Sequence, residues 1–141
     1  MAWLLRALVA GFVLIPQLAA AQNGITVHER ATPTAIRVIA GSASTGNWAP
    51  SHATGSNRSQ VEAGISRSAI QLCANQRTPA TDCQILTTFG PGPSCGTVAR
   101  STGFIVAGTG ATPEAARAAA LAACQQGGRR CTASTAVYCY R

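Results

Sequence analysis

The chain contains no lysine. Its 11 basic residues are all arginine, set against four carboxylates, and the formal charge is +7. Aromatic residues make up 5% of the sequence. Large aliphatic side chains are also sparse, and Ala, Gly, Thr and Ser stand in their place. An interior drawn from such residues has little apolar area to bury, which excludes a bulky core as the main source of stability. A chain this poor in large apolar side chains would read as disordered if its charge were also high. The charge is moderate, and six cysteines point elsewhere. The arginines are scattered, and only Arg129 and Arg130 adjoin. Without a dense basic run, nucleic acid is not the expected partner. Scattered arginines keep a small domain soluble. They also attract an anionic partner, here an envelope component or another exported protein.

Several catalytic signatures are missing too. There is no G-x-S-x-G nucleophile elbow. "GTGATPEAA" (Gly108–Ala116) leads glycines into a helix start but carries no Lys-Ser/Thr pair, so it reads as a turn and cap rather than a phosphate loop. The separations Cys73 to Cys83, Cys83 to Cys95, Cys124 to Cys131 and Cys131 to Cys139 all exceed the short Cys-to-Cys spacing of zinc sites. No metal or cofactor is therefore expected. The two histidines, His28 and His52, fall in loop or edge segments. A Cys-His nucleophile would need a free thiol. Asn57-Arg58-Ser59 is a glycosylation sequon, relevant only in a eukaryotic secretory route.

What is present starts with "MAWLLRALVAGFVLIPQLAAAQ". Arg6 precedes an apolar run, Ala7–Leu18, and the small residues Ala19, Ala20 and Ala21 follow. This pattern predicts a secretory signal over 1–21, cleaved before Gln22. The run is shorter than the roughly 20 residues that span a bilayer, and no later segment is long and apolar enough to replace it. The expected destination is the periplasm or the outside medium. The remaining chain carries ten arginines against Glu29, Glu62, Asp82 and Glu114, a formal charge of +6. Its six cysteines all lie between Cys73 and Cys139. An even number in a short exported chain reads as a disulfide framework. Residues 22–34 read as a flexible extension and 35–141 as one domain.

That domain repeats itself. "SAIQLC" (Ser68–Cys73) and "AALAAC" (Ala119–Cys124) share a pattern. Each follows a Glu-Ala pair, Glu62-Ala63 or Glu114-Ala115, and each precedes a second cysteine, Cys83 or Cys131. Upstream lie two glycine-broken apolar runs, in "AIRVIAGSASTGNWA" and again in "TVARSTGFIVAG". The chain reads as two copies of strand, strand, helix, strand: an α+β fold. Ser59-Gln60-Val61-Glu62 fits a capping box for the first helix. Val61, Ile65, Ala69, Ile70, Leu72 and Cys73 share its apolar half. Thr112 caps the second helix, Pro113 takes its first position, and Gly127-Gly128 stops it. In the strands that follow, Cys83, Ile85, Thr87 and Phe89 alternate to one side. Cys131, Ala133, Thr135, Val137 and Cys139 do the same. Trp48 and Phe104 sit in matching strands and read as core or edge packing.

Six cysteines allow fifteen pairings. The repeat selects among them. A thiol ending a helix and another opening the next strand suggest Cys73–Cys83 and Cys124–Cys131, which leaves Cys95–Cys139. Such bonds can supply what an alanine helix cannot bury. Glu62 and Glu114 take equivalent places in the copies. Two carboxylates about 5–9 Å apart can hydrolyse a glycoside, so a small cell-wall or envelope hydrolase is the alternative function. Capping and dipole pairing account for both residues without a substrate. The first expectation is a non-enzymatic binding or protective module of the cell envelope.

The doubled Glu-Ala…Ala-(Leu/Ile)-x-x-Cys motif, the second cysteine after each copy, and "CGTVARSTG" (Cys95–Gly103) resemble the exported bacterial proteins grouped as domain of unknown function 4189. The likeness runs from about Ala35 to Cys139. Ile70 stands where that pattern has leucine, and "SASTGNWAPSHATGSNRSQ" is longer and more polar. The resemblance implies export and an α+β fold, and it transfers no catalytic residue.

Overall fold

The computed structural model describes residues 26–29, 35–91 and 94–140. The expected signal and the remainder of the expected extension lie outside them. The elements are β1 (Thr26–Glu29), β2 (Ala35–Gly41), β3 (Trp48–Thr54), α1 (Arg58–Ala74), β4 (Gln84–Phe89), β5 (Ser94–Ser101), β6 (Phe104–Gly110), α2 (Pro113–Gln125), β7 (Thr132–Ala133) and β8 (Val137–Tyr140). The order strand, strand, helix, strand occurs twice, and the domain is a small disulfide-stapled α+β unit. No helix among the described residues is long and apolar enough to cross a membrane.

Each copy makes one sheet. In the first, β2 lies between antiparallel β3 and β4. In the second the order is β1-β8-β5-β6, with β7 also pairing with β5. All seven residues of β2 are buried, because both of its faces are covered. Ile36, Val38 and Ala40 face α1, while Ile39 meets Val98 and Ile105 of the other sheet. On β5, Ala99 packs with Ala120 and Cys124 of α2, and Cys95 packs with Ala116. The layers therefore run α1, first sheet, second sheet, α2.

The two helices bury the same stripe by the same spacing. Ile65, Ala69 and Cys73 are buried on α1; Ala116, Ala120 and Cys124 are buried on α2. Four-residue steps place each set on one side of its helix. The alanines of α2 have a physical use. A Cβ at Gly108 on β6 would stand 2.6 Å from Ala120 Cα and 2.7 Å from the Ala116 carbonyl oxygen. A strand with glycine and a helix with alanine can thus touch almost backbone to backbone. Cys73–Cys83, Cys124–Cys131 and Cys95–Cys139 are bonded. Two of these bonds tie a helix end to the strand that follows. The third links β5 to β8, where the two cysteines are direct register partners.

Several expectations need correction. The first helix is capped by Asn57, whose side chain accepts from Gln60 N at 3.2 Å. Asn caps as well as Ser, and the helix starts early enough to leave Ser59 and Glu62 inside it. Asn57→Ala is expected to cost about 1 kcal/mol, and Ser59→Ala almost nothing, because alanine is the better helix former. Urea titration of the two variants checks this, and a larger loss at Ser59 would restore the capping box. Leu72 is 52% exposed rather than on the buried face. Its spacing from Ile65 and Ala69 puts it at the edge of the stripe, in the last turn of the helix. In β4 the pairing with β2 skips between Ile39 and Ala40. This irregularity leaves Cys83 and Ile85 against α1 but turns Leu86 and Phe89 toward the second sheet. Finally, part of the expected flexible extension is a strand. Residues 26–29 pair in parallel with β8, from Thr26↔Val137 to Glu29↔Tyr140, because β8 offers them an open edge.

The second alternating segment is also interrupted. Residues 134–136 separate β7 from β8, although Cys131, Val137 and Cys139 still turn toward α2. Thr112 accepts from Ala115 N at 3.1 Å and Pro113 opens α2. Gly128 follows α2 with φ +72°, and its N–H donates to the Gln125 carbonyl. Trp48 and Phe104 both pack, on opposite faces: Trp48 between the sheets, Phe104 beside α2.

Candidate functional site

The cysteines are occupied. All six are in disulfides, so none is available as a thiolate nucleophile. The glutamates do not meet. Glu62 rides on α1 and Glu114 on α2, with two sheets between those helices. At about 10 Å per layer the helices lie on the order of 30 Å apart. That is several times the separation a pair of glycosidase carboxylates needs. The layering places the two glutamates on opposite outer faces rather than in one site. His28 sits on β1 opposite Cys139 in register. His52 lies on β3, and its ring meets Tyr140 of β8.

Between the sheets is a group that the sequence reading passed over. Arg37 of β2 is 1% exposed. Its guanidinium carbon lies 4.1 Å from the centroid of the Tyr140 ring. A buried cation needs such partners, because leaving water is costly. Tyr140 also meets His52 at 5.3 Å and Phe89 at 6.2 Å between centroids. One strand-end farther on, Trp48 and Tyr138 pack edge to face at 5.5 Å. Burial raises the Tyr138 hydroxyl's pKa above its ordinary value. The two tyrosines near the C-terminus are therefore inter-sheet packing groups. An arginine between Ile36 and Val38, in an otherwise apolar strand, was the available signal.

A second polar cluster lies at the end of the sandwich. Asp82, just before Cys83, accepts from Ser42 Oγ at 2.5 Å, Ser44 Oγ at 2.7 Å and Ser44 N at 2.9 Å. Asn47 donates to the Thr78 and Cys73 carbonyls at 2.6 and 3.1 Å. Together these bonds latch the β2–β3 loop onto the α1–β4 connection. The Ser42 hydroxyl first, then the Ser44 groups, hold the Asp82 carboxyl at about 2, below its ordinary 3.8. A folded-state pKa below the unfolded one stabilises the fold above the unfolded pKa. That contribution is lost as pH falls through about 2. Melting temperatures followed from pH 5 to 2 are thus expected to separate wild type from Asp82→Asn above pH 4, and to converge as pH drops toward 2. A constant gap across that range would contradict the latch.

The arginines outside the inter-sheet space make contacts of a different kind. Arg100 donates to the Gly46 carbonyl at 3.0 Å and Arg117 to the Thr135 carbonyl at 2.9 Å. Arg129 lies over the Phe104 ring at 4.0 Å. Each of these contacts is with a carbonyl or a ring rather than with a carboxylate. Among the described residues, Arg58, Arg67, Arg77, Arg100, Arg129 and Arg130 are exposed. Gly108 and Gly110, which precede α2, pack against that helix. Asn57 of the sequon spends its side chain on the helix cap. No group of three or more metal-ligating side chains occurs among the described residues.

A family model described as a domain of unknown function (DUF4189) matches residues 38–139. No curated protein and no solved structure matches the chain.

Proposed function

Because the chain belongs to the DUF4189 family, we propose that it is an exported, non-enzymatic binding or protective module of the cell envelope whose partner is anionic. The observation that carries this reading is the set of six exposed arginines, against three acids on described side chains. Of those acids, Asp82 already accepts three hydrogen bonds. Such a surface attracts anions over distances of a Debye length, about 8–10 Å at ordinary salt. Three disulfides are the mark of an oxidising compartment and of a small domain that must last there. The separation of Glu62 from Glu114, and the bonding of every thiol, support a role in binding.

The test uses the oxidised protein immobilised on a resin. It is expected to retain an anionic component of envelope extracts at low salt and to release it at high salt. Retention that ignores salt, or no retention at all, contradicts the reading. Glu62→Gln and Glu114→Gln are expected to leave retention unchanged, and wild type is expected to show no turnover of peptidoglycan. Turnover abolished by either substitution would restore the enzyme.

A further inference from the structure

The exposed arginines are not spread evenly. Arg77 follows the Asn75 cap of α1, and the neighbouring Thr78 carbonyl holds Asn47. Asn47 adjoins Gly46, whose carbonyl takes Arg100. Arg100 is the register partner of Thr132, two residues beyond Arg130. Arg129 lies over Phe104, which pairs with Ser101, the neighbour of Arg100. Four arginines from three different parts of the chain thus converge at one end of the sandwich. The acid there is Asp82, latched by Ser42 and Ser44. Glu114 lies in the first turn of α2, toward the other end. The exposed large hydrophobic residue among the described ones, Leu72, sits in the last turn of α1, beside this same end.

Attraction to the negative ends of the helices explains basic residues after α1 and α2. It does not explain Arg100 at the end of a strand, nor an exposed leucine next to them. We propose that this arginine pole docks on an anionic lipid surface, with Leu72 entering the interfacial region. The inference rests on the anionic-partner reading above and names its surface and chemistry. Four positive groups spread over the ends of several connections match a plane of negative headgroups better than a single bound ion. Basic side chains near such a surface each strengthen attachment, and an apolar side chain adds a contribution that salt does not screen. An extended soluble polyanion would find no use for Leu72.

Co-sedimentation of the oxidised protein with phosphatidylglycerol-containing vesicles tests the proposal, with phosphatidylcholine vesicles as the neutral arm. Arg77→Gln/Arg130→Gln is expected to weaken phosphatidylglycerol binding by about 25-fold, at roughly fivefold per arginine. Arg58→Gln/Arg67→Gln removes the same charge from the start and middle of α1 and is expected to weaken it by about twofold at most. Leu72→Ser is expected to remove the binding that survives high salt. Equal losses in the two double variants would overturn the pole and leave the anionic-partner reading standing. Equal binding to neutral vesicles would overturn the anionic-surface assignment. Binding to soluble polyphosphate but not to vesicles would also overturn it while sparing the broader reading. Binding to neither would sink both. Matching melting temperatures for the two double variants show that each remains folded.

Discussion

Replacing Cys95 and Cys139 together by alanine is expected to remove about 4 kcal/mol of stability, the largest loss from any one bridge. The bond spans 44 residues, against 10 for Cys73–Cys83 and 7 for Cys124–Cys131. In the chain-entropy account a longer loop constrains the unfolded chain more, and the two short bridges contribute about 2.5 kcal/mol each. The long bridge also has a structural position that the others lack. β8 joins β5 by three register pairs, Ser94↔Tyr140, Cys95↔Cys139 and Gly96↔Tyr138. The middle pair carries the bond. Loss of that link frees the strand that supplies Tyr138 and Tyr140 to the space between the sheets. For a domain of this size the melting temperature should fall by roughly 15 °C. Differential scanning calorimetry of the three double variants checks the ranking. A larger loss from Cys124→Ala/Cys131→Ala would contradict it.

Gly108→Ala is expected to destabilise the fold by about 3 kcal/mol or more, although it adds a single methyl group. The atoms that the new Cβ would meet belong to the Ala116 and Ala120 backbone. Backbone cannot swing aside as a side chain can, so α2 must shift away from β6 as a whole. That shift would open the contact along the Ala116, Ala120 and Cys124 stripe. Gly64, inside α1, is the control. A Cβ there meets nothing within 4 Å. Alanine is a better helix former than glycine, and Gly64→Ala should raise stability by about 0.5–1 kcal/mol. The same substitution therefore has opposite signs at the two sites. Equilibrium unfolding in guanidinium measures both. A loss at Gly108 below about 1 kcal/mol would mean that α2 does not sit on β6 as closely as described.

The repeat made much of this architecture legible. Helix positions, the Thr112 cap and the strand-strand-helix-strand order follow from local signals, since alanine, proline and glycine act through their own backbone preferences. What the sequence left open involves contacts between copies. Apart from Arg37, β2 is apolar on both faces, so its hydrophobic pattern alone does not say which face meets a helix and which meets another sheet. The irregular pairing in β4 hides behind "CQILTTF", whose alternation looks regular until it is paired with β2. Asn57 and Ser59 are both competent caps, and choosing between them needs the helix start itself. Of the candidate site, the scattered arginines could be read but their convergence could not. Arg77, Arg100 and Arg130 come together only because Asn47, Thr78 and Thr132 bring separate connections to one end. Arg37 was visible as a charge inside an apolar strand, and its partner Tyr140 lies 103 positions away in the chain.

One physical claim underlies both the architecture and the proposed role: a domain packed with alanine and glycine keeps its shape because its sulfurs are oxidised. The three bridges together contribute about 9 kcal/mol, comparable with the whole net stability of a typical domain, about 5–15 kcal/mol. The direct measurement is a thermal melt of the fully reduced protein with every thiol blocked, beside the oxidised form. The account predicts that the oxidised protein melts cooperatively and that the reduced one shows no cooperative transition above room temperature. A reduced protein melting cooperatively within a few degrees of the oxidised form would contradict it.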